Sequence, residues 1–114
     1  MKKSKKNIFP PTEINCIENK GKKILFNVDL LRINSIKKEK QFYDINDLFD
    51  INDTVDEDYA LTKSLSEPVI ITKIDDKYEV LDGKHRVYRA KNEGIVKIEA
   101  YFYEIQELDE YILN

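Results

Sequence analysis

The chain has 114 residues, of which 41% are hydrophobic and 36% charged, and it contains one cysteine, Cys16. This length fits one domain with a modest core, and a lone cysteine excludes an internal disulfide and a multi-cysteine zinc site. No apolar run reaches the roughly 18 residues of a membrane span, and the lysines after Met1 are not followed by an apolar signal core. We therefore expect a cytoplasmic protein that does not contact a membrane.

The formal net charge of −3 conceals an uneven distribution along the chain. Residues 1–43 contain eleven Lys and Arg against four Asp and Glu, a net of +7. Residues 44–114 contain eight against eighteen, a net of −10. Because nucleic-acid binding needs a basic face that neutralises phosphates, this distribution argues against general nucleic-acid binding by the folded part.

Residues 1–21 are predicted to be a flexible N-terminal arm. Pro10 and Pro11 prevent a helix, and the sequence Asn-Lys-Gly-Lys at 19–22 is typical of a turn. The folded domain is therefore expected to span residues 22–114.

The first predicted element of that domain is a strand. Apolar residues alternate with polar ones at Phe26, Val28 and Leu30, which predicts a strand over residues 24–33 that runs into a turn. The lysine-rich residues 36–42 are predicted to form a loop that could fold over a ligand.

An acidic segment follows, with seven carboxylates between positions 44 and 58 and no basic residue among them. Because it contains no glycine, it does not match a calcium-binding EF-hand loop. Aspartate caps on short helices and a solvated acidic face are the structural interpretations. The functional ones are a magnesium ligand and an acidic surface that competes with nucleic acid for a protein partner. Thr54 and Glu57 form a capping box, which predicts a helix over residues 55–66.

A predicted β-hairpin leads into the candidate site. Its strands cover residues 68–74 and 78–81, and Asp82-Gly83 after the second strand signals a tight turn. A helix is predicted over residues 84–93, with Gly94 as its stop. Beyond it we predict a strand over residues 97–103. A last short helix is predicted after this strand, because apolar residues follow at helical spacing: Ile105, Leu108, Tyr111 and Ile112.

The start of the helix after Gly83 has the properties of a phosphate site. The first N–H groups of a helix have no intrahelical partner, and the helix dipole adds partial positive charge there. Lys84, His85, Arg86 and Arg89 contribute further donors. Since a guanidinium can bind phosphate oxygens with two N–H groups, we expect Arg86 to contribute to ligand affinity rather than to folding. The structural alternative is a solvated basic helix capped by Asp82.

The order of these elements, together with one motif, resembles the ParB N-terminal / sulfiredoxin-like family. The motif runs from Pro68 through the hairpin to Gly83, His85, Arg86 and Gly94. The form Asp-Gly-Lys-His-Arg looks most like the D-G-x-H-R variant of free-serine kinases and stand-alone ParB-like proteins. The resemblance covers residues 66–103, and it implies an α+β fold with a small mixed sheet and helices.

Carried over by position, the resemblance implies that nucleotide phosphates bind at Gly83, Lys84, His85 and Arg86. In the family, a first strand and the bend after it lie beside this phosphate turn. That placement implies a second set of ligand groups at Arg32, Asn34 and Ser35. The structural alternative for Arg32 is a salt bridge at the sheet edge.

The chemistry that the resemblance implies is binding of ATP or another NTP with Mg²⁺, for a phosphotransferase or an NTP hydrolase. Asp82 would be the catalytic and metal-binding carboxylate. His85 would be a second catalytic group, or else a ring half-buried against the following strand. Sulfiredoxin chemistry is disfavoured, because Lys84 occupies the position of the reactive cysteine.

Specific DNA binding is not expected, because partition proteins of the ParB type continue into a helix-turn-helix region that these residues lack.

Two other functions are compatible with the same fold. The alternative to a nucleotide-binding protein is a non-catalytic accessory or inhibitory protein of a phage or mobile element, which acts on a protein partner through the acidic segment 44–58. A nuclease ranks last, because no cluster of carboxylates with lysine can be assigned.

Overall fold

The computed structural model describes residues 13–50, 56 and 67–114. The strands in chain order are β1 (Ile14–Asn19), β2 (Lys22–Asn27), β3 (Gln41–Asp44), β4 (Val69–Ile74), β5 (Lys77–Asp82) and β6 (Lys97–Phe102). The helices are α1 (Val28–Ser35), α2 (Ile45–Leu48), α3 (Lys84–Asn92) and a 3₁₀ helix (Ile105–Tyr111). This content confirms the predicted α+β class. No helix of the described ranges has both the length and the apolar character that a bilayer crossing requires.

The strands form a two-stranded and a four-stranded sheet. β1 pairs with β2, and the larger sheet has the order β3, β6, β4, β5. Within it β4 and β6 run parallel, and the other neighbouring pairs are antiparallel. The predicted hairpin is confirmed as β4 and β5, joined by Asp75 and Asp76 with φ of 51° and 65°. Positive φ at both central residues gives the turn twist that suits a two-residue hairpin.

The N-terminal hairpin corrects the predicted arm. β1 pairs with β2 in continuous register, from Ile14 opposite Asn27 to Asn19 opposite Lys22. Ile17 is buried in the core. The prediction of a flexible arm is therefore wrong for residues 14–19, and residues 1–12 lie outside the described ranges.

The predicted strand over residues 24–33 is correct only to Asn27. The buried Asn27 side chain accepts a hydrogen bond from the Leu30 N–H at 3.1 Å, which caps the start of α1. A side-chain acceptor at this position satisfies an N–H group that the first helical turn leaves free. The chain therefore turns into a helix where the apolar alternation suggested more strand.

Other predictions in the middle of the chain have mixed outcomes. Part of the predicted loop over residues 36–42 belongs to β3. The Asp44 carboxylate accepts from the Asn46 N–H at 2.9 Å and caps α2, so a helix cap is the correct interpretation for this one acidic residue. The predicted helix over residues 55–66 lies outside the described ranges.

The larger sheet separates two apolar cores. The core on the α3 side contains Ile45, Leu48, Val69, Ile71, Val80, Val87, Ala90, Ile98 and Ala100. The core on the α1 side contains Ile17, Phe26, Leu31, Ile70, Leu81, Tyr103, Leu108 and Tyr111. Each fully buried aliphatic or aromatic side chain contributes about 1.5–3 kcal/mol relative to an exposed one. The N-terminal hairpin and the 3₁₀ helix thus cover one face of the sheet and stabilise it.

A β-bulge at the end of β5 determines where Asp82 projects. Ile71 lies opposite Val80, whereas Ile70 lies opposite Asp82, so Leu81 is an extra residue on β5. Paired residues project to the same face, and Ile70 belongs to the core on the α1 side. Regular alternation would direct Asp82 to the α3 side, so the bulge turns this carboxylate toward α1.

Candidate functional site

A cavity of about 210 Å³ lies where α1 meets the ends of β4 and β5. Its walls are formed by Arg32, Ser35, Ile36, Glu67, Pro68, Ile70, Asp82, Arg86 and Tyr101. Members of both predicted sets of site residues thus meet here, because Arg32 and Ser35 line the same cavity as Asp82 and Arg86. The fold brings them together through the cap at Asn27 and the bulge at Leu81.

Asp82 is the centre of the charged groups in this cavity. It is only 6% exposed. The Arg32 guanidinium donates to both of its oxygens, from Nε to Oδ2 and from Nη2 to Oδ1, each at 2.8 Å. Arg86 Nη2 lies 3.4 Å from Oδ2. The hydrogen bond to Asp82 is the largest cause of a raised pKa for Arg32; burial opposes this shift and Glu13 supports it, so the Arg32 guanidinium is charged.

Arg86 is held inside the protein, at 4% exposure. Besides the Asp82 contact, its Nη2 donates to the Pro68 carbonyl at 3.1 Å, and its Nη1 lies 3.6 Å from the Glu67 carboxylate. Its Nε is buried and has no hydrogen-bond acceptor in the described part of the chain. A buried donor without an acceptor costs about 1–3 kcal/mol, so the position of this side chain is maintained at some expense of stability.

Gly83 brings the start of α3 close to the cavity. It is the N-cap residue of α3, it has a φ of 109°, and no side chain caps this helix end. The interpretation of Asp82 as a helix cap is therefore wrong, since Asp82 binds arginines. A Cβ at Gly83 would lie 2.5 Å from Val69 Cγ1 and 3.0 Å from Arg86 Nη2. Only glycine fits, because both the backbone angle and the space require it.

The remaining predicted residues lie outside the cavity or are already engaged. Lys84 and His85 are half-buried and do not line it. Asn34 Nδ2 donates to the Tyr111 hydroxyl at 2.8 Å, and burial raises the pKa of Tyr111 to about 12. Ser35 lies in the wall, but its hydroxyl donates to the Leu31 carbonyl at 2.6 Å. Ligand roles for these residues stay predictions.

Glu13 is a charged residue beside this site that the sequence pattern did not predict. Its carboxylate accepts two hydrogen bonds from Arg32, from Nη1 at 2.8 Å and from Nη2 at 2.9 Å. It was overlooked because residues 1–21 were interpreted as an arm. The turn at Lys20 and Gly21 was recognised, and the apolar residue Ile17 before it was the available signal for a hairpin.

A larger open depression of about 790 Å³ lies between α2 and the β4–β5 hairpin. None of the residues predicted to bind a nucleotide lines it, whereas Asp47 and Asp50 of the acidic segment do. Its wall includes Phe49 and Asp50, which continue directly into residues outside the described ranges. The cavity at Asp82 is therefore the better defined of the two.

Comparison with known proteins adds little to this geometry. No family model matches the chain. An uncharacterised protein of Methanocaldococcus jannaschii is 35% identical over an alignment that covers 59% of this chain and 28% of that protein. The chain thus spans less than a third of the length of that relative, whose name gives no function. The resemblance to the ParB N-terminal / sulfiredoxin-like family stays a prediction from the motif.

Proposed function

We propose that this chain is a small ParB/sulfiredoxin-like nucleotide-binding protein that holds phosphate groups at the Asp82–Arg86 turn. The observation that supports this most directly is the convergence of Arg32 and Arg86 on one buried carboxylate, beside the uncapped start of α3. Guanidinium groups are donors that phosphate oxygens prefer, because two N–H groups can bind two oxygens at once. Asp82 fixes both arginines before a ligand arrives, which lowers the entropic cost of binding.

The size of the cavity limits what it can hold. At about 210 Å³ it is smaller than the roughly 300–1,000 Å³ of a typical small-molecule pocket. It suits a phosphate group or a short phosphate chain, while the sugar and base would lie outside it.

We further propose that the nucleotide binds together with Mg²⁺ and undergoes phosphoryl transfer or hydrolysis. Both oxygens of Asp82 accept from arginines, so a metal ion would compete with those guanidinium groups for this carboxylate. The described residues contain no group of three or more His, Cys, Asp or Glu side chains placed to hold a metal. Mg²⁺ in nucleotide sites is bound largely by phosphates and water, and that mode fits better here. Catalytic roles for Asp82 and His85 stay predictions.

A thermal-shift panel tests binding directly. The full chain is melted with ATP, CTP, GTP and ADP, each with and without Mg²⁺. A ligand at a hundred times its Kd adds about 2.7 kcal/mol to the free energy of unfolding. We expect at least one nucleotide to raise the melting temperature, and a flat response across the whole panel would remove the proposal.

A matched pair of arginine variants locates the site. Arg32→Gln removes the outer guanidinium of the cavity. Arg89→Gln removes the same charge from α3, where Arg89 Nε donates to Glu93 one turn on, at 2.7 Å, and does not line the cavity. We expect Arg32→Gln to weaken nucleotide binding by about 1.5–3 kcal/mol, the range for hydrogen bonds to a charged group, with little effect of Arg89→Gln.

Melting curves without ligand first show that each variant is folded. Isothermal titration of both variants then distinguishes phosphate binding at Arg32 from a general effect of positive charge. If Arg32→Gln binds as tightly as the parent, the phosphates bind elsewhere. If Arg89→Gln loses as much affinity as Arg32→Gln, the loss comes from the lower positive charge of the protein and not from a contact at Arg32.

A further inference from the structure

The Glu13 carboxylate covers the solvent-facing edge of the Arg32 guanidinium. Arg32 uses one edge for the buried Asp82, and its other edge donates to both oxygens of Glu13 at 2.8 and 2.9 Å. That second edge is where an incoming anion could bind two N–H groups at once. The Glu13 side chain is 53% exposed, so it covers the arginine from the solvent side.

The main chain of Glu13 is fixed independently of its side chain. Its carbonyl accepts from the Val28 N–H at 3.1 Å, and its N–H donates to the Asp29 carboxylate at 2.9 Å. Both contacts are to the first residues of α1, the helix that carries Arg32. The carboxylate can therefore rotate into solvent without movement of β1.

The charges around the cavity make this rotation relevant to ligand binding. Two guanidinium groups, of Arg32 and Arg86, face three carboxylates, of Asp82, Glu67 and Glu13. A cavity in this state does not attract an anion, because the carboxylates outnumber the cations. Departure of Glu13 balances the charges and frees two donors of Arg32.

We infer that Glu13 is an internal competitor for the anion site, a carboxylate that a bound phosphate group displaces from Arg32. The inference rests on the proposed function, and it adds a regulatory contact to that site. An exposed ion pair contributes only about 0.2–1 kcal/mol, so a multiply charged phosphate that binds the same edge can replace it. A singly charged anion has no such advantage over the tethered carboxylate.

The test uses the full chain and inorganic pyrophosphate as the probe. Pyrophosphate is titrated into the ¹⁵N-labelled protein while the Arg32 side-chain N–H and Gly83 amide signals are followed by NMR. Glu13→Gln is compared with Glu18→Gln, which removes the same charge from an exposed position on β1. We expect Glu13→Gln to bind about two- to fivefold more tightly than the parent, which is the fold-change equivalent of the ion pair, and Glu18→Gln to bind as the parent does.

Each outcome distinguishes this inference from the proposed function. If pyrophosphate binds the parent and both variants equally, Glu13 is not a competitor, while the anion site itself stands. If Glu13→Gln binds more weakly, Glu13 supports the site and the inference is overturned. If no variant binds pyrophosphate and the nucleotide panel is also flat, both proposals fall. Glu13→Ala, which keeps the main-chain hydrogen bonds of residue 13, serves as a second variant with the same expected direction.

Discussion

Arg86 shows how burial changes the role expected of a residue. From the motif alone, Arg86 was expected to contribute to ligand affinity and not to folding. Its guanidinium instead bonds the Pro68 carbonyl and lies within reach of Asp82 and Glu67. Removing one partner from a buried charged group leaves the others without compensation, so substitution of Arg86 would damage the fold as well as any ligand site. Arg32, which is 40% exposed in its side chain, is the better position at which to measure ligand binding.

Gly83 gives the first residue-scale prediction. Gly83→Ala adds a Cβ that lies 2.5 Å from Val69 Cγ1, at a φ of 109°. Backbone strain of about 1–3 kcal/mol and overpacking of about 1–3 kcal/mol both apply. We expect a loss of about 2–4 kcal/mol in the free energy of unfolding, measured by urea denaturation.

Gly94→Ala is the matched control for this variant. Gly94 follows the end of α3, and its φ of 76° confirms the predicted left-handed stop. A Cβ at Gly94 meets nothing within 4 Å, so only the backbone cost of about 1–2 kcal/mol remains. Equal losses in the two variants would show that the contact with Val69 has no consequence.

At the scale of elements, the sequence predicted the helices and strands whose signals lie close together in the chain. The β4–β5 hairpin and α3 were predicted because apolar runs, the turn residues and Gly94 all lie within a short stretch of chain. α1 was missed because apolar alternation at Phe26 and Val28 favours a strand, whereas the Asn27 cap decides for a helix. The last element was predicted as a helix and is a 3₁₀ helix in the same place, with a capping box between Glu104 and Glu107.

Two contacts of the site depend on pairing and packing between separate stretches of the chain, which the sequence does not specify directly. The β-bulge at Leu81 depends on pairing with β4, so no single stretch of sequence specifies it. The Glu13–Arg32 ion pair depends on β1 packing beside α1. The convergence of Arg32 with Asp82 was expected only through the family resemblance, and spacing along the chain would not have suggested it.

The N-terminal hairpin gives a prediction at the element scale. Ile17 on β1 is 4% exposed, whereas Ile14 on the same strand is 53% exposed. Ile17→Ala should destabilise the protein by about 2–4 kcal/mol through lost burial and a residual cavity. Ile14→Ala should change the free energy of unfolding by less than about 0.5 kcal/mol.

Thermal melts of the two variants measure this difference, since each kcal/mol shifts the melting temperature by several degrees in a domain of this size. Similar small effects of both substitutions would mean that β1 is not part of the core and that the predicted arm was correct after all.

At the scale of the whole molecule, the site connects the two differently charged parts of the chain. Arg32 comes from the net-positive residues 1–43, and Asp82 comes from the net-negative residues 44–114. Their ion pair ties α1 and the N-terminal hairpin to the end of the larger sheet. Stability and ligand binding therefore depend on the same charged groups, and one substitution should alter both.

Asp82→Asn tests this dependence. The variant keeps the shape of the side chain but leaves two guanidinium groups beside each other without their shared carboxylate. Loss of one partner from a buried charged cluster costs about 3–5 kcal/mol, so we expect a clear fall in melting temperature. An added anion that binds both arginines should restore part of the lost melting temperature. Sulfate in the tens of millimolar range is a suitable probe, since it carries two charges and accepts bidentate hydrogen bonds.

Asp109→Asn removes an exposed carboxylate from the 3₁₀ helix and provides the control. Sulfate stabilises most proteins to some extent by exclusion from their surface, and this general effect should be the same in the control and the parent. Specific binding between Arg32 and Arg86 should add a component that saturates with sulfate concentration, and this component should be largest in Asp82→Asn, where no carboxylate competes for the two arginines. A sulfate response in Asp82→Asn that lacks any saturating component would show that the two arginines do not form an anion site, and the phosphate-binding proposal would lose its structural basis.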